Sequence, residues 1–203
     1  MNISHKLVKN LNKDIKIKIE KRLQEFAQLN KAKKLEWFSE LCFCLLTANS
    51  KAQTAINIQK ELGAKGFLEK TQTQIADIIR KHGHRFCNTK AKYIVKARKF
   101  VNIKGILANL STNDARELLI KNIKGLGHKE SSHFLRNVGY HDVAIIDRHI
   151  LRFLHQEKLI DEIPKTITKK HYLDFETILS KFEIPLDELD LIIWHQMTGT
   201  VLK

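Results

Sequence analysis

The sequence predicts an all-α fold, and three observations carry that prediction. Apolar residues recur at helical spacing along most of the chain. Val, Ile and Thr nowhere alternate with polar residues over a useful length, so strands find no place. The 203 residues include only two prolines, Pro164 and Pro185, and the eight glycines fall mainly between periodic segments. Hydrophobic residues make up 43% and charged residues 29%, a globular balance that excludes a disordered chain. A chain of this length buries a real core, as one domain or as two small lobes folded together.

The elements follow in order. A charged segment over 5–30, with Ile17, Ile19, Leu23 and Phe26 as its apolar positions, reads as the first long helix. Over 35–48 the residues are apolar nearly all round, from Trp37 and Phe38 to Leu45 and Leu46, the signature of a buried central helix. Further helices are expected over 52–62, 73–81 and 90–101; the last sets Tyr93, Ala97 and Phe100 on one side and Lys92, Lys96 and Lys99 on another. A helix over 111–121 has Ser111 and Asn113 as candidate N-caps. Helices are then expected over 129–137 and 148–156, over 169–182 with Tyr172, Phe175, Leu179 and Phe182 as its repeat, and over 186–197 behind Pro185.

Charge narrows the function. With 36 Lys+Arg against 22 Asp+Glu the formal net charge is +14, an excess that favours a polyanionic partner because each neutralised phosphate releases counterions. No apolar run approaches the roughly 18–20 residues of a membrane span, and residues 1–18 are too polar for a secretory signal. An intracellular protein, cytoplasmic or in the nucleoid, is expected. Cys42, Cys44 and Cys87 fit that compartment. Two residues apart on a helix, Cys42 and Cys44 face different ways and make neither a bridge nor a metal pair.

The informative stretch is Ile123-Lys124-Gly125-Leu126-Gly127-His128-Lys129, between two helical patterns. Two glycines around one apolar anchor make a tight turn whose amides approach a phosphate without side-chain obstruction. The helix behind it points its positive end at the same anion. Such a turn also serves as a plain connector in helical bundles. The apolar flanks Leu119, Ile123, Phe134 and Leu135, together with the positive charge, favour a clamp on a DNA backbone, which positions the protein without specifying bases.

From Leu118 to Ile150 the chain resembles the helix-hairpin-helix superfamily of DNA glycosylases. In its bifunctional members a lysine stands two residues after the Gly-x-Gly turn, as Lys129 does. An aspartate follows about eighteen residues later at the head of the next helix, as Asp147 does in Ile145-Ile146-Asp147-Arg148-His149. The chemistry accounts for the pair. Breaking an N-glycosidic bond develops oxocarbenium-like charge that a carboxylate stabilises. An amine then forms a Schiff base with the opened sugar, which permits β-elimination. A free lysine is neutral about one time in 10³ at pH 7; partial burial and a helix N-terminus both favour the neutral amine. A lone lysine is usually surface and a lone aspartate usually a cap, so the spacing of the two together carries the assignment.

Iron–sulfur ligation in the endonuclease III-like branch takes four cysteines near the C-terminus, and the last third of this chain has none. No cofactor is expected. Over nearly its whole length the chain instead resembles the short, archaeal-type 8-oxoguanine DNA glycosylase/AP lyases. The resemblance includes Leu41-Cys42-Phe43-Cys44-Leu45-Leu46-Thr47-Ala48-Asn49, Gly83-His84-Arg85-Phe86, Ser132-His133-Phe134-Leu135-Arg136-Asn137-Val138-Gly139 and Asp190-Leu191-Ile192-Ile193-Trp194. It implies duplex DNA containing oxidised guanine as the partner; a monomer is the default expectation. Asn49 then suits the wedge that fills the vacated stack, although an Asn there also fits a helix cap. Phe86 and Trp194 become candidates to sandwich the extruded base, although aromatics at helical spacing are more often core. The resemblance also implies that the carboxylate of Lys203 contacts the base. An acceptor-only group facing N7 would suit the lesion, which carries a hydrogen there, and repel guanine; facing N1–H or the 2-amino group it would bind the purine without discriminating oxidation.

The ten histidines include no pair at i,i+4 among the clustered ones (His82 with His84, His128 with His133), so no metal site is expected. Two alternatives remain open at this point. One is a cluster-free glycosylase/lyase for pyrimidine lesions; the other is a helix-hairpin-helix module that binds DNA without cutting it. The expected architecture is two helical lobes, roughly 33–139 around the hairpin and roughly 1–32 plus 140–203, with the catalytic cleft between them.

Overall fold

A computed structural model describes residues 3–9 and 11–203. Among them the chain forms twelve α-helices and one 3₁₀ turn, with no strand. The helices are α1 (Ile3–Lys9), α2 (Lys13–Lys31), α3 (Lys34–Thr47), α4 (Ala52–Glu69), α5 (Gln72–Lys81), α6 (Cys87–Ala97), α7 (Ile103–Leu107), α8 (Thr112–Asn122), α9 (His128–Asn137), α10 (Arg148–Gln156), α11 (Lys169–Ser180) and α12 (Leu186–Thr198). No helix is long and apolar enough to cross a membrane.

Two apolar clusters organise the molecule. The first gathers around α3, whose residues from Trp37 to Thr47 are all buried, and is built from side chains between Trp37 and Val143. The second joins Leu7, Ile19 and Phe26 near the N-terminus to residues from Ala144 to Ile193. Helix α3 packs on α4, α6, α7 and α9, whereas α12 packs on α1, α2 and α10. Helix α2 touches both α3 and α9, and so bridges the clusters.

Local chemistry explains where the elements depart from the periodicity. The segment expected as one helix over 5–30 is two, because the Asn12 side chain accepts the Ile15 amide at 2.9 Å and starts α2 afresh. Ile17, expected on its apolar face, is 52% exposed, while Ile19 and Phe26 are buried. Helix α4 reaches the expected end at Leu62 and then resumes beyond a kink at Gly63, whose φ of 60° few residues other than glycine adopt. Helix α6 begins at Cys87, earlier than expected, and its continuation from Arg98 to Phe100 tightens to a 3₁₀ turn. Helix α7 was not predicted; five residues are too few to establish a period. At α8, Ser111 caps by accepting the Asp114 amide, whereas Asn113 accepts from the Arg116 guanidinium at 2.8 Å. Helix α10 begins and ends where its periodicity places it.

Candidate active site

The hairpin joins α8 to α9. Gly125 has a φ of +102°, and a Cβ built on it would lie 2.4 Å from Cδ2 of Tyr93, so both the conformation and the space require glycine. Leu126, 6% exposed, anchors the turn in the first cluster, and its amide donates to Ile123 O at 3.2 Å. Lys124 is exposed beside it. Gly127 caps α9, its own amide donating to Glu130 Oε2 at 3.3 Å. The first helical bond runs from Ser131 N to Gly127 O, so the amides of the turn before it have no acceptor within the helix. The local result is an electropositive backbone end with no Cβ at 125 or 127 to block an anion.

Lys129 is the second residue of α9 and is half-buried. One and two turns on, His133 and Arg136 continue the same stripe, and all three line a cavity of about 900 Å³. The opposite stripe of α9, with Phe134, Leu135 and Val138, is fixed in the first core, so packing holds the cavity-facing residues in place. Lys90 lies close by, buried, its ammonium donating to Leu45 O at 2.6 Å. Burial above all, and the Lys129 charge as well, depress its pKa. His133 is held well below the ordinary histidine range by burial first, then by the charges of Arg136, Lys129 and Lys203.

Asp147 faces the same cavity from the head of α10. Its Oδ1 accepts two amides, His149 N at 2.7 Å and Ile150 N at 3.0 Å, which fixes the carboxyl group at the helix N-terminus. The ring of His149 stands edge-on to Trp194, centroids 4.9 Å apart, and Trp194 forms part of the cavity wall from α12. Beside it Asp190 pairs with Arg136. Burial pushes the Asp190 carboxyl up to about 6 against the pull of Arg136, with the Asp147 charge adding to the rise. Tyr172 closes another side, its hydroxyl donating to Ala144 O at 2.7 Å and accepting from Ile146 N at 3.2 Å. That pair of bonds steadies the strand of chain that leads to Asp147.

The structure therefore brings Lys129, Asp147, Trp194 and Lys203 to one cavity, with Gly127 at its edge. It does not bring Phe86 there. Phe86 lies on the loop between α5 and α6, 43% exposed, and is not part of the cavity lining. His84, two residues earlier, is buried and its Nε2 lies 3.0 Å from Leu46 O, which ties this loop to the end of α3. Asn49 leaves the end of α3 with a φ of +61°, exposed, between cavity residues Thr47 and Ser50. Asn49 thus has the left-handed backbone typical of a residue following a helix, and it stands at the cavity rim.

Several residues that shape the cavity escaped the sequence reading. Lys90 and Glu40 are buried charges near the cavity, and an acid at position 40 inside a largely apolar run is the visible signal. The Arg136–Asp190 pair joins residues 54 apart in sequence and left no local trace. Cys42 and Cys44 are fully buried, with thiols pushed well up by that burial, which suits packing rather than reactivity. Among the described residues, no group of three or more His, Cys, Asp or Glu side chains could hold a metal ion.

Chemically, the cavity offers an amine and a carboxylate on facing helix ends, aromatic walls, and a volume adequate for a purine nucleotide. Comparison with known proteins meets this geometry. A family model described as 8-oxoguanine DNA glycosylase matches residues 19–187. The 8-oxoguanine DNA glycosylase/AP lyase of Methanocaldococcus jannaschii is 52% identical over 197 residues, 95% of each chain. That of Thermotoga maritima is 41% identical over 206 residues, 98% of each. Among solved structures, the M. jannaschii enzyme in complex with a 15mer DNA containing 8-oxoguanine gives a TM-score of 0.94 at 50% identity, over 99% of both chains. The T. maritima 8-oxoguanine DNA glycosylase gives 0.91 at 38% identity, over 99% of this chain and 98% of that one. A match of this extent in sequence and fold, around a cavity holding both Lys129 and Asp147, means that the chain belongs to the 8-oxoguanine DNA glycosylase family.

Proposed function

We propose that this protein is a bifunctional 8-oxoguanine DNA glycosylase/AP lyase of base-excision repair, with Lys129 as nucleophile and Asp147 as the carboxylate that stabilises the sugar cation. The observation that carries the reading is their convergence, from the N-terminal ends of α9 and α10, on one cavity beside the hairpin. The hairpin amides and Lys124 hold the phosphate backbone. Asn49 at the rim fills the space left by the extruded nucleotide, and the base enters the cavity against Trp194 and the Lys203 segment. Phe86 lies on the loop between α5 and α6, exposed and outside the cavity lining. The two lobes correspond to roughly 33–139 and to 1–32 plus 140–203, and the work is intracellular because the substrate is.

The reaction runs in two stages. As the C1′–N9 bond breaks, the departing base takes the bonding electrons, and positive charge on the sugar faces Asp147. The Lys129 Nζ bonds to C1′; ring opening leaves a Schiff base. Loss of a C2′ proton then expels the 3′ phosphate, and the strand is nicked 3′ to the abasic site. Family membership favours oxidised guanine over a pyrimidine lesion, and the amine–carboxylate pair favours an enzyme over a module that only binds.

The test is excision from a duplex carrying 8-oxoguanine, with and without borohydride. Wild type nicks the strand and is trapped as a covalent adduct. Lys129→Gln is slower by about 10³-fold or more and is not trapped, the scale of losing a nucleophile. A Lys129→Gln protein that still traps removes Lys129 from the role; a wild type inert on 8-oxoguanine but active on thymine glycol overturns the substrate.

A further inference from the structure

Glu40 is a buried acid for which the reaction above has no use. It lies in the middle of α3 within the apolar run from Trp37 to Leu46 and is 3% exposed. A carboxyl group survives such burial only when its oxygens are satisfied. Here Oε1 accepts from Asn137 Nδ2 at 2.6 Å, and Oε2 accepts from Gln59 Nε2 at 3.0 Å and from the Lys203 ammonium at 2.8 Å. Gln59 Oε1 accepts from the same ammonium at 2.6 Å, and Nζ lies 4.1 Å from the centroid of the Phe43 ring. Two oxygens and an aromatic face, contributed by α3 and α4, make a built socket for one cation.

The socket is anchored on its far side as well. Asn137 Oδ1 accepts two bonds from the Arg136 guanidinium, at 3.1 and 2.8 Å, and Arg136 pairs with Asp190 of α12. The gripped residue comes from an irregular segment that Val201 also ties to the second apolar cluster. Helix α12 ends at Gly199, with φ of +74°, and residues 199–203 have no regular structure. The polar contacts of Thr200 are local, to the Thr198 hydroxyl. Yet Leu202 and Lys203 form part of the wall of the active cavity, and Lys203 also borders a second cavity of about 480 Å³ behind it. His133 lies against this segment, its buried ring next to the Lys203 charge and in hydrogen-bonding reach of the Lys203 backbone.

We propose that Glu40, with Gln59 and Phe43, is a positioning device that grips the Lys203 ammonium from behind and so sets residues 199–203 as the wall against which the extruded purine is read. Glu40 does not touch the DNA; it acts through Lys203. The inference rests on the functional reading above, since it assumes a base in this cavity. It has a consequence that a general stabilising role lacks. A substrate that already lacks its base does not need the wall, so excision and the nicking of a preformed abasic site respond differently.

The experiment compares single-turnover excision of 8-oxoguanine with nicking of a preformed abasic site, in wild type, Glu40→Gln, Gln59→Leu, Lys203→Met and Lys203→Arg. Excision falls about tenfold or more in the first three variants, the scale of one charge-assisted hydrogen bond. Abasic-site nicking stays within about twofold, and Lys203→Arg, which keeps the cation, retains most of the excision. In Lys203→Met the released segment also uncovers His133, whose imidazole resonances then titrate closer to the ordinary range. Excision and nicking that fall together mark Glu40 as merely structural and overturn the proposal; so does unchanged excision. Where Glu40→Gln does not fold, Gln59→Leu and Lys203→Met decide by the same comparison. A wild type that nicks abasic sites but excises no 8-oxoguanine refutes the functional reading instead.

Discussion

Asp147 Oδ1 accepts the amide of His149 at 2.7 Å and that of Ile150 at 3.0 Å, so the proposed catalytic carboxylate is also the N-cap of α10. The two roles separate by substitution. Asn caps helices about as well as Asp, so Asp147→Asn keeps stability within about 0.5 kcal/mol. It loses the negative charge that faces the sugar cation, and excision falls by about 10²-fold or more. Asp147→Ala loses both, and costs a further ~1 kcal/mol of stability. Parallel melting curves and single-turnover excision check this; an Asp147→Asn protein as active as wild type leaves Asp147 as a cap alone.

Gly125 and Gly127 stand two residues apart in the hairpin but answer to different constraints. At Gly125 a methyl group meets Tyr93 Cδ2 at 2.4 Å on a backbone already at φ +102°. Gly125→Ala therefore costs roughly 1–3 kcal/mol of stability and disorders the clamp. Adding Tyr93→Ala relieves the collision but not the backbone strain, so recovery is partial. At Gly127 the backbone is extended and the nearest atom to a new methyl is Glu130 Oε2 at 3.4 Å. Gly127→Ala is expected to melt within about 1 kcal/mol of wild type yet to bind undamaged duplex more weakly, because the methyl occupies the phosphate approach. Equal DNA affinity in wild type and Gly127→Ala would contradict a backbone clamp at this turn.

The parts of the fold legible in the sequence are those where one local rule decides. The buried α3 shows in an apolar run with no polar face, and α10 in a cap followed by a clean period. The hairpin shows in two glycines around Leu126. What stays hidden depends on partners distant in sequence. Asn12 divides the first helical segment because its side chain captures an amide, while the apolar period runs on past it. Glu40 meets Asn137 and Lys203 only after α3, α9 and residues 199–203 have packed together. Phe86 and Trp194 share an aromatic character that suggests a sandwich, but the His84 bond to Leu46 O holds the Phe86 loop against the end of α3, and Phe86 stays outside the cavity lining. Residue type marks these positions as unusual, and only packing decides which of them face the same space.

Asp190 and His133 draw stability in opposite directions below neutral pH. The Asp190 carboxyl is pushed up to about 6 in the folded protein, whereas an unfolded aspartate titrates near 3.9. The folded state therefore holds this proton where the unfolded chain has released it. The resulting stability is present below about pH 4 and is lost as pH rises to about 6, a difference of ~3 kcal/mol. His133 has the reverse sign. Burial and three neighbouring cations keep its folded form neutral, while the unfolded chain takes up a proton near pH 6.5, so its contribution is present above that pH and lost on acidification. Asp190→Asn removes the first effect and leaves the second. Its melting temperature then falls more steeply between pH 6 and pH 4 than that of wild type, and His133→Gln falls less steeply below pH 6.5. Melting curves of the three proteins across this range that run parallel would mean that neither group titrates differently in the folded state.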